Sequence, residues 1–271
     1  MAFPILPAKI LARGQKRALT SIFRFPRVVA TAMATRFFRQ PLKVLKCYIG
    51  RTCPKDLCVQ TRSGYKIHLT GDADDLVTLL VVMGRRDYGK IPQQGVVIDV
   101  GGHLGAFTLY AVEQGAQHVY CYEPDPVLYD ALLRNVKGNG LEADVTPCRA
   151  AVVGSVCGEV RFCPEGNASG HVAAPHEVDG IIMVNAITLA EIVLDNQIDC
   201  VDLLKLDCEG SEYGIALHTP KEIWSRIWRV RLEYHNGRVE ELRERFEDLG
   251  YSLTRAVKNS REVGLLWFDR R

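Results

Sequence analysis

The stretch Val97-Ile98-Asp99-Val100-Gly101-Gly102-His103-Leu104-Gly105 decides how this chain is read. An apolar, β-branched run carries the chain to an acid, three glycines within five positions turn it, and an apolar segment from Ala106 follows. A strand, a glycine turn and a helix in that order open a parallel α/β unit, because glycine lets the backbone close tightly on a ligand. Further on, Glu123 stands at the end of the next predicted strand, where an acid can bond the hydroxyls of a ribose.

Outward from this motif the apolar pattern alternates between strand and helix. Before it, the pattern predicts a hairpin over 57–61 and 65–69 about Arg62-Ser63-Gly64, and a helix over 76–83 capped from Asp72 to Asp75. After it come a helix over 104–114, a strand over 118–122, and a helix over 126–137 stopped at Gly138-Asn139-Gly140. Strands over 145–153 and 159–163, a loop over 164–180 and a strand over 181–186 precede a helix opened by the Thr188/Glu191 capping box. Strands over 201–206 and 229–234, a helix over 239–249 and a closing pair over 251–256 and 264–269 complete the pattern. The link inside the closing pair is too short for a crossover, so the last strand must run antiparallel. The expected fold is α/β: a doubly wound, mostly parallel Rossmann-like sheet with an antiparallel last strand, the class I methyltransferase arrangement. Three segments are expected: a basic extension over 1–54, a hairpin and helix vestibule over 55–95, and the main domain over 96–271.

Of 271 residues, 47% are hydrophobic and 24% charged, which excludes disorder, collagen and coiled coil. The net charge of +2 hides an asymmetry. Residues 1–50 carry ten Lys or Arg and no acid, leaving 24 basic against 32 acidic side chains over the other 221 residues, a net of −8. Three readings of this arm stay open: a solvated helical extension, an organelle transit peptide, or a helix resting on an anionic membrane. No recognised nucleic-acid module accompanies it, and no stretch approaches the ~20 apolar residues that span a bilayer. The nine cysteines are odd in number, scattered and without a CxxC pair, which points to buried reduced thiols and a reducing, cytoplasmic setting. Peripheral membrane contact through the arm is compatible with that setting.

Two details choose the cofactor. A dinucleotide fingerprint starting at Gly101 requires glycine at 103, and the chain has His103. Asp99 at the mouth of the first strand would repel a pyrophosphate by about 4 kcal/mol at ~4 Å. S-adenosylmethionine carries an ammonium and a sulfonium, which a carboxylate attracts. In the bland reading Asp99 caps a turn, Gly101 to Gly105 form an ordinary loop and Glu123 is a surface acid. Each is ordinary alone, and the three together at this spacing favour the cofactor. The segment Asp202-Leu203-Leu204-Lys205-Leu206-Asp207-Cys208-Glu209-Gly210-Ser211-Glu212 then brings carboxylates to the same sheet edge. No Asn/Asp-Pro-Pro-aromatic clamp, as used for amino groups, is present, so a hydroxyl acceptor is favoured. Asp207, Glu209 and His235 are the candidate proton acceptors. The plainer alternatives are a strand-end histidine satisfied by neighbours and a glutamate favouring a helix start. Spacing supplies Asp207 with no second or third metal ligand, so no metal is expected. Two other classes remain: an NAD-dependent oxidoreductase, and a non-catalytic module tethered to a membrane or nucleic acid.

These residues together resemble the FkbM-type methyltransferase family. The matching stretches are Asp75-Leu-Val-Thr-Leu through Arg86-Asp87-Tyr88, Val97 to Thr108, Tyr122-Glu-Pro-Asp-Pro, Asn135 with Asn139-Gly140, Ala150-Ala-Val, Thr188-Leu189 and Leu203 to Glu212. The resemblance covers about residues 55–256. It implies an S-adenosylmethionine-dependent O-methyltransferase acting on a hydroxyl of a sugar, glycan or natural product. It further implies cofactor contacts at Asp99, Gly101, Gly105 and Glu123; Gly102 and Pro124, their neighbours in the same loops, complete the expected binding set. Gly102 and His103 stand where the family usually has a small residue and then Asn.

Overall fold

The computed structural model describes residues 35–55, 57–155, 158–166 and 169–271. Residues 1–34, which hold much of the basic arm, lie outside the described residues. Helix α1 (Pro41–Gly50) leads to a hairpin of β1 (Cys58–Gln60) and β2 (Lys66–His68) with Val59 opposite Ile67. Helix α2 (Ala73–Leu79) follows, capped by Asp72, whose side chain accepts from the Asp74 amide, and it runs on as a π-helix over Leu80–Gly84.

The main sheet is built from β3 (Val96–Val100), β4 (His118–Tyr122), β5 (Val145–Cys148), β10 (Leu203–Leu206), β11 (Arg229–Tyr234), β12 (Tyr251–Lys258) and β13 (Gly264–Arg270). Its order is β12-β13-β11-β10-β3-β4-β5. Strands β5, β4, β3, β10 and β11 pair in parallel, while β13 runs antiparallel to β11 and β12, as the short link between the last two strands requires. The doubly wound fold with a reversed final strand is therefore observed. Both margins are irregular. Pro147, which has no N–H to give a ladder, sits in β5 at one edge. A bulge between Leu253 and Arg255 interrupts β12 at the other.

Alternate residues of β3 enter two cores, as the period of two dictates. Val97 packs with α3 (Ala106–Glu113), α4 (Pro126–Gly138), α1, α2 and the hairpin, whereas Ile98 and Val100 face α5 (Leu189–Asp195), α6 (Glu212–His218), α7 (Lys221–Trp224) and α8 (Val239–Asp248). The hairpin is fastened to α4 by side chains in place of a third strand. The Asn135 amide exchanges two hydrogen bonds with the His68 backbone at 2.8 and 3.0 Å, and Asn139 does the same with Lys66 at 2.7 Å in each direction. Asparagines four apart on one helical face supply that spacing.

Several boundaries differ from the sequence reading. The predicted strand over 145–153 breaks at Arg149-Ala150, and β6 (Ala151–Val153) leaves the main sheet to pair with β9 (Ile182–Thr188). With β7 (Gly158–Cys163) and the two-residue β8 (His171–Val172), which falls inside the predicted 164–180 loop, they form a second sheet in the order β6-β9-β7-β8. Helix α3 starts at Ala106 rather than 104, because Gly105 takes a left-handed φ of 90°. Helices α6 and α7 were not foreseen. The Thr188/Glu191 capping box forms as predicted. The eight cysteines among the described residues are all free thiols. No helix among the described residues is long and apolar enough to cross a membrane.

The second core closes on Trp224, Phe246, Tyr251 and Phe268, with Phe246 stacked on Phe268 at 4.4 Å and edge-on to Trp224 at 5.1 Å and Tyr251 at 5.6 Å. Phe246→Ala empties the centre of this group and is expected to lower stability by about 3–5 kcal/mol, measured by urea unfolding. A loss below about 1 kcal/mol would mean that the cluster repacks.

Candidate active site

The glycine loop is shaped first by its own neighbours. The amides of Gly101 and Gly102 both donate to the Tyr122 carbonyl at 3.0 Å, lashing the loop to the end of β4. Gly101 has a φ of 79°, and a Cβ there would lie 1.8 Å from the Asp207 carbonyl oxygen; at Gly102 it would lie 2.3 Å from Cys121 Sγ. Gly105, at φ 90°, comes against Leu132. The glycines thus let β10, β4 and α4 crowd the loop.

Asp99 is fully buried. Its Oδ1 accepts from Lys205 Nζ at 3.0 Å, and its Oδ2 accepts from Thr108 Oγ1 at 2.7 Å and from the Cys121 thiol at 3.7 Å. Lys205 gives its other two bonds to the carbonyls of Val100 and Gly101, at 3.2 and 2.7 Å. Burial works against the ammonium, but Asp99 and Asp207 outweigh it and hold the Lys205 pKa above its ordinary value. The sequence reading set Asp99 as an open negative charge facing a cation. The structure corrects that electrostatic argument: the charge is matched inside the sheet by Lys205, and Asp99 serves the platform beneath the loop.

Glu123 is also buried, and its Oε2 and Oε1 accept from the amides of His103 and Asp125 at 2.7 and 2.9 Å. Burial pushes its carboxyl up to about 7 against those hydrogen bonds. Pro124 follows it, half-buried. The tip of the second sheet reaches this loop, where the Gly166 amide donates to Asp125 Oδ2 at 3.1 Å. His103, with a left-handed φ of 51°, buries both ring nitrogens without a partner, 3.8 Å from Asp75 Oδ1, which is likewise unpartnered. Burial, then the charge of Lys205, lowers the His103 pKa to about 4, so the ring is neutral.

The end of β10 gathers the acid side chains. Asp207 accepts from the Tyr88 hydroxyl at 2.7 Å and lies 3.6 Å from Lys205 Nζ. Tyr88 also reaches Glu233 at 3.4 Å. Glu212, fully buried at the start of α6, accepts from the amides of Cys208 and Gly210 at 2.8 Å and bonds His235 Nδ1 at 3.1 Å. The opposite ring nitrogen, Nε2, faces Glu209 at 3.5 Å. Burial raises Glu209 to about 7, with Asp207 adding to it and His235 opposing. Burial disfavours the charged His235 ring, but Glu212, Glu209 and Asp207 together raise it to about 9. Asp207, Glu209 and His235 each offer one ligand atom, all within 4.8 Å of one another.

The crevice edge therefore brings all the predicted positions to one end of the sheet: Asp99, Gly101, Gly102, Gly105, Glu123 and Pro124 around the loop, and Asp207, Glu209 and His235 beside it. Sequence reasoning missed Lys205, Tyr88, Glu212 and Glu233. Lys205 carried a legible signal, a lone cation inside an apolar strand, which cannot be buried without a partner. Tyr88 closes one of the stretches that carry the family resemblance, but nothing tied it to Asp207, which lies 119 residues away.

A sheet of this order with a glycine loop, a following acid and a carboxylate-bearing fourth strand defines a Rossmann-like class I methyltransferase. The chain belongs to the FkbM methyltransferase family: the family model described as Methyltransferase FkbM domain matches residues 99–253. It is 24% identical over 202 residues to Methyltransferase sdnD of Sordaria araneosa, an overlap of 62% of this chain and 78% of that protein. It is 25% identical over 173 residues to 31-O-demethyl-FK506 methyltransferase FkbM of Streptomyces tacrolimicus, covering 52% of this chain and 65% of that protein. Among solved structures, magnesium protoporphyrin IX methyltransferase (ChlM) from Synechocystis PCC 6803 with bound SAM aligns over 73% of this chain and 77% of its own, at 14% identity and a TM-score of 0.38. TYW2 of M. jannaschii in complex with AdoMet aligns over 79% and 83%, at 15% identity and a TM-score of 0.41. The family makes this chain an S-adenosylmethionine-dependent methyltransferase. The donor set fits that molecule: the orphaned ring of His103 and the free oxygen of Asp75 suit a ligand end that carries both a carboxylate and an ammonium, and Glu123 suits a ribose.

Two outcomes are expected here. Lys205→Met leaves Asp99 buried and unpaired, and should cost about 3–5 kcal/mol in urea unfolding, with much of that recovered in Lys205→Met/Asp99→Asn. Glu123 binds a proton in the folded chain that the unfolded chain has already lost. Its contribution to stability is full below about 4.5, is withdrawn as the pH rises, and is gone above about 7. The stability of the wild type relative to Glu123→Gln should therefore fall across that window, and denaturant midpoints through a pH series check it. A gap that does not move with pH would refute it.

Proposed function

We propose that this chain transfers the methyl group of S-adenosylmethionine to a hydroxyl oxygen of a small-molecule or glycan acceptor. The observation that carries the reading is the pair of half-buried carboxylates, Asp207 and Glu209, delivered by β10 to the sheet edge that holds the glycine loop and Glu123. The name of the Streptomyces relative specifies methylation at an oxygen, and that supports the same choice. No Asn/Asp-Pro-Pro-aromatic clamp follows β10, where Asp207-Cys208-Glu209-Gly210 stands instead.

The chain's residues divide the work. Glu123 receives the ribose, the glycine loop, bare of side chains, leaves room for the ligand to approach, and Asp75 with His103 takes the amino-acid end. Bound S-adenosylmethionine would supply an electrophilic methyl carbon, with its sulfonium sulfur as the leaving group that keeps the bonding pair. Asp207, held by the Tyr88 hydroxyl, orients the acceptor hydroxyl, and Glu209, steadied by His235, takes its proton. The half-buried setting of both carboxylates leaves them a path to the crevice. Gly166, hydrogen-bonded to Asp125, and the segment before β3 flank the mouth and supply walls for the acceptor.

Glu209→Gln is expected to lower kcat by about 10²- to 10⁴-fold while calorimetric binding of S-adenosylmethionine persists. Gly101→Ala and Glu123→Ala are expected to lose that binding. Incubation of a cell extract with the trideuteromethyl cofactor, followed by mass spectrometry and NMR of the labelled product, reads the acceptor atom. A label carried on nitrogen or carbon would overturn the hydroxyl reading.

A further inference from the structure

The geometry points to a divalent-cation site formed by Asp207, Glu209 and His235, open on the side that faces the acceptor. It rests on the placement of the acceptor at this sheet edge and adds to it a means of holding and acidifying the oxygen. The three side chains come from two loops, those after β10 and β11, and each offers one ligand atom, all within 4.8 Å of one another. Ligand atoms around a six-coordinate ion with bonds near 2.1 Å stand about 3 Å apart in cis and about 4.2 Å in trans. Closing on a metal thus asks the widest pair to contract by up to about 0.6 Å if it becomes trans and up to about 1.8 Å if it becomes cis.

Two further features support a cation there. The outer nitrogen of His235 is fixed by Glu212, a fully buried carboxylate that is not itself one of the three ligands and is locked by the amides of Cys208 and Gly210. A carboxylate behind a histidine is the usual support of a metal-bound imidazole: it sets the ring orientation and leaves Nε2 for the ion. The cluster is also rich in acid: Asp207, Glu209, Glu212 and Glu233 converge on the single imidazole of His235, and Lys205, 3.6 Å from Asp207, has given its three hydrogen bonds to Asp99 and two carbonyls.

Two carboxylates and one imidazole suit a hard or borderline ion such as Mn²⁺, Mg²⁺, Fe²⁺ or Zn²⁺. Three protein ligands leave positions for water and for the acceptor hydroxyl. Bound there, the hydroxyl loses its proton to the oxygen of Glu209 that does not touch the ion. The oxygen then forms its bond to the methyl carbon as the carbon–sulfur bond breaks toward sulfur, so charge and protons balance without any redox partner.

The test is a titration of the full chain with Mn²⁺, followed by electron paramagnetic resonance, in the absence of cofactor and acceptor. The expected result is loss of the free-ion signal to one ion per chain, with nitrogen modulation from His235 in the spin echo. His235→Gln should abolish the nitrogen modulation and weaken binding at least about 10-fold, and Glu212→Gln should weaken it by about 10- to 100-fold. No binding at millimolar Mn²⁺, or nitrogen modulation and affinity unchanged in His235→Gln, would overturn the site. Should either variant fail to fold, the wild-type echo decides, since a bound ion without nitrogen modulation excludes the proposed ligand set. The hydroxyl reading fails separately: Mn²⁺ bound as described with label transferred to nitrogen sinks that reading and leaves the site, while oxygen methylation by a chain that binds no Mn²⁺ sinks the site alone.

Discussion

Lys205 and Asp99 meet 3.0 Å apart across β10 and β3, out of contact with water, and the crevice edge is organised around that pair. An ammonium has three donors, and here all three are used: on Asp99, on the Val100 carbonyl and on the Gly101 carbonyl. The pair therefore ties the fourth strand to the first and fixes the level at which the glycine loop leaves the sheet. Buried ion pairs add little net stability compared with well-packed apolar residues, but losing one partner is severe. What the pair contributes is position. Gly101 is pulled so close to β10 that no side chain could stand on it, and Asp207, two residues beyond Lys205, is presented at the same rim.

This arrangement explains which parts of the site could be read from the sequence. The strand, glycine turn and helix from Val96 to Glu113 are signalled by neighbouring residues, as are the cap at Thr188 with Glu191 and the reversal of the last strand. The setting of Asp99 was not legible, because its partner lies 106 positions away and meets it only through the register of two parallel strands. Tyr88 was hidden for the same reason. The break at Arg149-Ala150 was missed because apolar residues continue on both sides of it, so nothing in composition marks where β5 ends and a strand of another sheet begins. Strand identity was legible and strand partnership was not, since partnership depends on register and register is a long-range property.

The second carboxylate layer follows a similar logic. Glu212 holds the loop after β10 by accepting two of its amides, and with its remaining capacity fixes the ring of His235 from the next strand. One buried acid thereby joins the loops after β10 and β11. Tyr88 does so from the opposite side, where the segment before β3 reaches across to Asp207 and Glu233. The vestibule is thus stitched to the crevice edge at Tyr88 and, through His103, at Asp75, and to the scaffold at Asn135 and Asn139.

The margins of the main sheet have a consequence for the molecule in a crowded solution. An exposed strand edge is a template on which another chain can add itself. Here one border carries an imino acid, Pro147, that cannot donate at its place in the ladder, and the other is kinked where Thr254 turns its hydroxyl onto the Trp267 carbonyl and Asp269 at 3.3 and 3.0 Å. Both borders discourage growth of the seven-stranded sheet from chain to chain.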